Sequence, residues 1–97
     1  MARYELACAA AGDLENIFEF GIDTFGLTQA LDYMTGLKQR LRQIAEGPEV
    51  YPAIEHIRSG YRRSVYKSHS IYYQVESDYV FVVRVLGRQD IESALGN

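Results

Sequence analysis

Cysteine is almost absent from this chain. Cys8 is the only one among 97 residues, so no internal disulfide can form and a reducing compartment fits. Without a histidine near it in sequence, Cys8 reads as a small buried apolar residue and not as a nucleophile. Histidine is scarce too: His56 and His69 are the only two, and no Cys/His/Asp spacing matches a zinc or iron site. Neither a metal nor a cofactor is expected. Gly12, Gly21 and Gly26 stand singly, so there is no glycine-rich phosphate loop. No apolar run is long enough to span a bilayer, and Met1-Ala2-Arg3-Tyr4-Glu5 lacks the apolar core of a secretory signal. The cytoplasm is the expected compartment, with no membrane partner.

What the chain does have is a modest core and an uneven spread of charge. Apolar residues make up 47% and charged residues 24%, a globular composition, and one domain over residues 1–97 is expected. The net charge of −3 argues against non-specific nucleic-acid binding by the molecule as a whole. Residues 1–50 set four cations against eight acids, whereas residues 51–97 set six cations against five acids. Those six are Arg58, Arg62, Arg63, Lys67, Arg84 and Arg88, and between Arg58 and Arg88 only Glu76 and Asp78 oppose them. A basic, aromatic stretch inside an acidic protein calls for an anionic partner or a special local fold.

Tyr4 to Ala7 alternates apolar and polar and is expected as an edge strand. Leu14, Ile17, Phe18, Ile22 and Phe25 recur at helical spacing and predict one apolar stripe, closed by Phe25-Gly26. A second helix starts near Thr28 with Ala30, Met34, Leu37, Leu41 and Ile44 as its seam, and Gly47-Pro48 stops it. The short link makes the two an antiparallel hairpin. Glu49 to Ile57 is a connector containing Pro52. From Arg58 to Leu86, β-branched and aromatic residues dominate, and two polar breaks divide the stretch into three strands. Tyr79 to Leu86 is apolar on both faces except at Arg84, which marks it as the most buried, central strand. Asp90 to Leu95 is expected to form a last helical turn. The fold class is α+β: an N-terminal strand, then an antiparallel helical hairpin packed on an antiparallel sheet completed by a three-strand meander, in the order β-α-α-β-β-β with a short C-terminal helix.

Several residues carry candidate chemistry. Arg62 and Arg63 are adjacent on a strand, so they point to opposite faces and cannot share one patch. Tyr61, Arg63 and Val65 share one face, where Arg63 lays its stem on its neighbours; Arg62, on the other with Ser64 and Tyr66, is solvated or pairs with Glu76. Arg84 interrupts an apolar strand, and a charge there must reach an anion, a carbonyl or a groove; a ligand- or partner-facing role is weighed ahead of a structural one. His69, at a strand start, is expected to bond a turn carbonyl in preference to catalysis. The surplus of eight tyrosines over four phenylalanines points to some hydroxyls at an interface.

The order of elements and several residue runs resemble the ParE branch of the RelE/ParE toxin superfamily over nearly the whole chain. The matching pieces are Ala11-Gly12-Asp13-Leu14-Glu15-Asn16-Ile17, Phe25-Gly26 with Gln29-Ala30, and Ile44-Ala45-Glu46-Gly47-Pro48. They continue through Arg58-Ser59-Gly60-Tyr61-Arg62-Arg63, Ser68-His69-Ser70-Ile71-Tyr72-Tyr73 and Arg84-Val85-Leu86 to Asp90. The tail departs from the pattern: Gly87 and Gln89-Asp90 stand where many ParE chains carry His and then Met-Asp.

The resemblance implies the toxin of a bacterial type II toxin–antitoxin pair. Such a toxin poisons DNA gyrase on cleaved DNA, and a ParD-like ribbon-helix-helix antitoxin neutralises it in a hetero-oligomer. DNA is then met only indirectly, through the antitoxin. It also implies a non-enzymatic protein with no catalytic residues. The local excess of cations in an acidic chain makes Arg58, Arg62, Arg63 and Arg84, with Tyr61, His69 and Arg88, the candidates for binding antitoxin or target. RelE relatives instead cleave messenger RNA on the ribosome with a basic cluster and a proton carrier near the C-terminus. After Leu86 this chain offers no Tyr, His or Lys, which favours the ParE branch. A RelE-type ribonuclease and a non-toxic interaction module of the same fold are the alternatives.

Overall fold

The structure is a computed structural model and describes residues 3–87. Strand β1 (Tyr4–Leu6) leads into helices α1 (Cys8–Phe25) and α2 (Leu27–Glu46), followed by a single 3-10 turn at Pro48–Val50. Strands β2 (Arg62–Tyr66), β3 (His69–Val75) and β4 (Val80–Gly87) complete the order β-α-α-β-β-β. The expected helical turn at Asp90 to Leu95 lies outside the described residues.

Helix α2 folds as its seam requires. Ala30, Leu37, Leu41 and Ile44 are buried, and Met34 packs at the edge of the same core. Gly26, at φ 93°, turns the chain between the helices in a conformation that an L side chain resists. In α1 only Ala10 and Leu14 are buried, with Ile17 packed beside them. Phe25, expected at the end of the stripe, is exposed instead. The reason is placement: Asp13 already bonds Val85, two residues from the end of β4, so the later turns of α1 run past the sheet. Cys8 is likewise exposed, because it opens α1 on the side away from the core while Ala10 takes the buried position.

The sheet order is β1-β4-β3-β2. The meander is antiparallel, but β1 pairs with β4 in parallel, so the sheet is mixed. Helix α2 ends beside Arg3 and Tyr4, at the starting end of β1. The next strand enters from that end, and an alternating meander then leaves β4 running the same way as β1. The main core lies between helices and sheet, where Leu37, Leu41 and Ile44 meet Ile71, Tyr73, Val80, Val82 and Val85.

β4 is central, as expected, yet β3 is buried just as deeply. Both faces of β3 are covered, because the connector folds Ile54, Ile57 and Tyr61 over Tyr72 and Leu86 on the outer face. The Tyr73 hydroxyl donates to the Pro48 carbonyl at 2.6 Å and ties the end of α2 to β3. Burial pushes the Tyr73 phenol up to about 12, even against the lowering influence of Arg62.

The edge strand β2 meets α2 closely. A Cβ at Gly36 would collide with the Tyr66 hydroxyl and stand 3.0 Å from its ring carbon Cζ. Gly36→Ala is therefore expected to destabilise the fold by about 1–3 kcal/mol, the range for overpacking. Part of that loss should be recovered in the G36A/Y66F double variant, and urea-unfolding midpoints of the four proteins measure the coupling. Strictly additive costs would mean that Tyr66 is not the obstacle.

Candidate functional site

The structure separates the seven candidate residues. Arg62 lies on the helix-facing side of β2 and donates through Nη1 to the Tyr51 carbonyl at 2.6 Å, not to Glu76. Arg63 points to the opposite side, and its backbone N–H bonds the Pro52 carbonyl. Arg58 stacks its guanidinium 5.7 Å from the Tyr61 ring centre, and Tyr61 packs against the small outer core. Arg58, Tyr61 and Arg63 thus share the outer side, apart from Arg62. Arg88 lies outside the described residues.

Arg84 is committed within the chain. Its Nε and Nη2 donate to the two carboxylate oxygens of Asp13 at 2.8 and 2.9 Å. The backbone N–H of Val85 donates to the same carboxylate at 2.9 Å. The Asp13 side chain is 11% exposed and that of Arg84 30%. The hydrogen bond to Asp13 holds the Arg84 guanidinium above its ordinary range. The anion that a cation in this strand had to reach is therefore the chain's own.

Along the seam between α2 and β2 lies a row that local sequence reading missed. Arg40 Nη1 donates to Ser64 Oγ and to the Val65 carbonyl, both at 2.9 Å. Its guanidinium sits 5.7 Å from the Tyr51 ring centre and 5.5 Å from that of Tyr66. Lys67 Nζ continues the row, 5.5 Å from the Tyr66 ring and 5.9 Å from the Tyr33 ring. Arg62, Tyr51, Arg40, Tyr66, Lys67 and Tyr33 alternate cation and aromatic. One signal for Arg40 was available: it falls three residues after Leu37 and four before Ile44, at the margin of the buried stripe.

At the top of the sheet an open groove of about 340 Å³ is lined by Phe20, Phe25, Ala30, Tyr33, Ser68 and His69 among others. His69 Nδ1 lies 2.6 Å from the Tyr33 hydroxyl, so its partner is that phenol and not the expected turn carbonyl. Burial pushes the Tyr33 phenol up and the His69 imidazole down, so both groups are held neutral. Phe20, Phe25, Leu27 and Leu31 around the hairpin tip are 65%, 61%, 56% and 49% exposed. Among the described residues no group of His, Cys, Asp and Glu could hold a metal ion, and no helix is long and apolar enough to cross a membrane.

Comparison with known proteins adds an independent line. Residues 4–92 match the family described as ParE toxin of type II toxin-antitoxin system, parDE. The chain is 35% identical over 96 residues to Toxin ParE1 of Mycobacterium tuberculosis, covering 97% of this chain and 98% of that one. It is 36% identical over 86 residues to Toxin ParE1 of Caulobacter vibrioides, covering 89% and 88%. Among solved structures, the chromosomal ParDE TA system from P. aeruginosa aligns with a TM-score of 0.79 at 16% identity, covering 90% of this chain and 96% of that one, a likeness of fold.

The Tyr33–His69 pair sets a pH dependence. Burial depresses the folded-state value of His69 below its ordinary 6.5. The unfolded chain thus binds the proton more readily, and the contribution of His69 is fully present above pH 6.5 and lost as pH falls through that value toward the folded one. His69→Gln should remove this component. Urea midpoints measured between pH 7.5 and pH 5 should fall more steeply for the parent than for the variant; parallel curves would refute the burial of a neutral imidazole.

Proposed function

The chain belongs to the ParE toxin family of type II toxin–antitoxin systems, and on that premise we propose that it is a non-enzymatic poison of DNA gyrase, held inactive in the cytoplasm by a ParD-like antitoxin. The observation that carries the binding half of this reading is the apolar hairpin tip. Phe20, Phe25, Leu27 and Leu31 stand in water next to an open groove. A small protein that exposes a contiguous apolar surface of this kind uses it for association. The fold neighbour is a ParDE toxin–antitoxin system, which supports an antitoxin as one occupant. The gyrase target rests on the family resemblance.

The ribonuclease alternative keeps one specific observation, the Tyr33–His69 couple at the mouth of the groove. General acid–base cleavage of RNA needs a base and an acid poised near neutrality. Here burial moves the two groups apart, leaving a neutral imidazole bonded to a protonated phenol. That arrangement suits a structural link better than proton shuttling.

Two measurements test the reading. Purified toxin is incubated with gyrase and supercoiled plasmid, and in parallel with ribosomes translating a defined message. Linear, gyrase-linked DNA and an intact message are expected; codon-specific cuts with gyrase unaffected would reverse the ranking, and no effect in either would favour the interaction module. Separately, Phe25→Asp should leave the fold intact, since the side chain is exposed, and weaken antitoxin binding at least tenfold, or about 1.4 kcal/mol, in titration calorimetry. Unchanged affinity would place the antitoxin elsewhere.

A further inference from the structure

We propose that the row of Arg62, Arg40 and Lys67 is a binding site for the phosphodiester backbone of single-stranded nucleic acid. No carboxylate lies within ion-pair distance of any of the three among the described residues, although the chain carries thirteen acids. The cations are nonetheless held in place. Arg62 is anchored to the Tyr51 carbonyl, Arg40 to Ser64 and the Val65 carbonyl, and Lys67 over two tyrosine rings. The row follows β2, with Arg62 at one position, Arg40 at Ser64 and Lys67 beyond Tyr66. The first step, two residues along the strand, is about 6.7 Å, which suits successive phosphates of an extended polynucleotide, and Lys67 follows in the turn.

Two further observations favour this ligand. Lys67 sits at φ 52°, a left-handed conformation that a side-chain-bearing residue resists and that glycine adopts freely. The two-residue hairpin between Tyr66 and His69 requires this conformation, and it fixes where Lys67 stands at the end of the row. The outer edge of β2 is also largely closed to an added strand. The Tyr61 carbonyl and the Arg63 N–H are taken by Ile54 and Pro52, and the Val65 carbonyl by Arg40. An acidic peptide could not extend the sheet there by regular main-chain pairing, so the ligand must be held through charge and side-chain donors, as a nucleic-acid backbone is. The net charge of −3 does not forbid this contact: Glu49, which shares the surroundings of the Tyr73 hydroxyl with Arg62 and Tyr51, makes no ion pair with the row, and acids farther than about 10 Å are largely screened at 0.1 M salt.

The test uses the full chain alone, without gyrase or antitoxin, so its failure leaves the proposed function untouched. Fluorescence anisotropy with labelled fifteen-nucleotide dT and U oligomers is measured at rising salt. Binding is expected with a slope of log K against log salt of about −2, three contacts at about 0.7 each. Whether DNA or RNA binds better identifies the source of the backbone. Arg40→Gln, Arg62→Gln and Lys67→Gln should each lower that slope by about 0.7, and Lys67→Glu should weaken binding further. Lys67 is exposed at the turn, so its variants keep the test sound if either arginine substitution perturbs folding. Lys38→Gln is the control: two residues from Arg40, it lies about 200° around α2 and should change nothing. Absence of binding, binding insensitive to Lys67→Glu, or equal competition by an oligoglutamate peptide of matched charge would overturn the proposal, the last by transferring the row to an acidic peptide.

Discussion

One carboxylate fixes how the helices meet the sheet. β1 is three residues long, and its ladder with β4 ends where the Ala7 N–H bonds the Val82 carbonyl. Beyond that rung, the next edge-facing N–H of β4, on Val85, is received by Asp13 from α1. The same carboxylate takes both donors of Arg84. Asp13 thereby continues the ladder, neutralises a cation in an apolar strand and pins the second turn of α1 to the end of β4. Removing it would leave a guanidinium and a backbone N–H without their acceptor, the costly side of the hydrogen-bond asymmetry. With α1 pinned this far along, its remaining turns have no sheet beneath them. The exposed apolar tip is therefore a consequence of where Asp13 binds.

The parts of the fold governed by periodicity were legible from the residues. The seam of α2 buried Ala30, Leu37, Leu41 and Ile44 as spaced, and the alternation in β2 put Arg62, Ser64 and Tyr66 together on the helix side. What depends on the relative placement of elements was not legible. The direction of β1 follows from where α2 ends, and the exposure of Phe25 from the overhang of α1. The deep burial of Tyr72 follows from a connector that folds back over the sheet. None of these is written in a window of a few residues.

The same division holds for the site. Local charge density selected Arg58, Arg62, Arg63, Arg84 and Arg88, but a strand sends neighbours to opposite faces, and Arg84 found its anion 71 residues away. Arg40 was overlooked because it lies in the acidic half of the chain, on a helix, where charges usually meet solvent. Its role comes from crossing to Ser64 and Val65 on a strand whose register brings them beside α2. Glycine carried a signal of its own: only the lack of a side chain at Gly36 lets Tyr66 lie against the helix and stand beside Arg40.

The two surfaces share a corner. The turn from Tyr66 to His69 contributes Tyr66 and Lys67 to the cationic row and Ser68 and His69 to the groove. Tyr33 belongs to both, bonded to His69 at the groove mouth and lying under the Lys67 ammonium. A side chain entering the groove against Tyr33 must act on the ring that supports Lys67, and an anion drawing Lys67 away removes a contact from that ring. Such an effect is reciprocal, since a coupling free energy between two sites has one value whichever is filled first. The corner is also stiff, with a left-handed backbone at Lys67 and a Tyr66 ring confined by Gly36. Stiffness of this kind passes a displacement on to its neighbours instead of absorbing it locally. The groove and the row thus meet at one turn, through the Tyr33 ring that bonds His69 on one side and carries the Lys67 ammonium on the other.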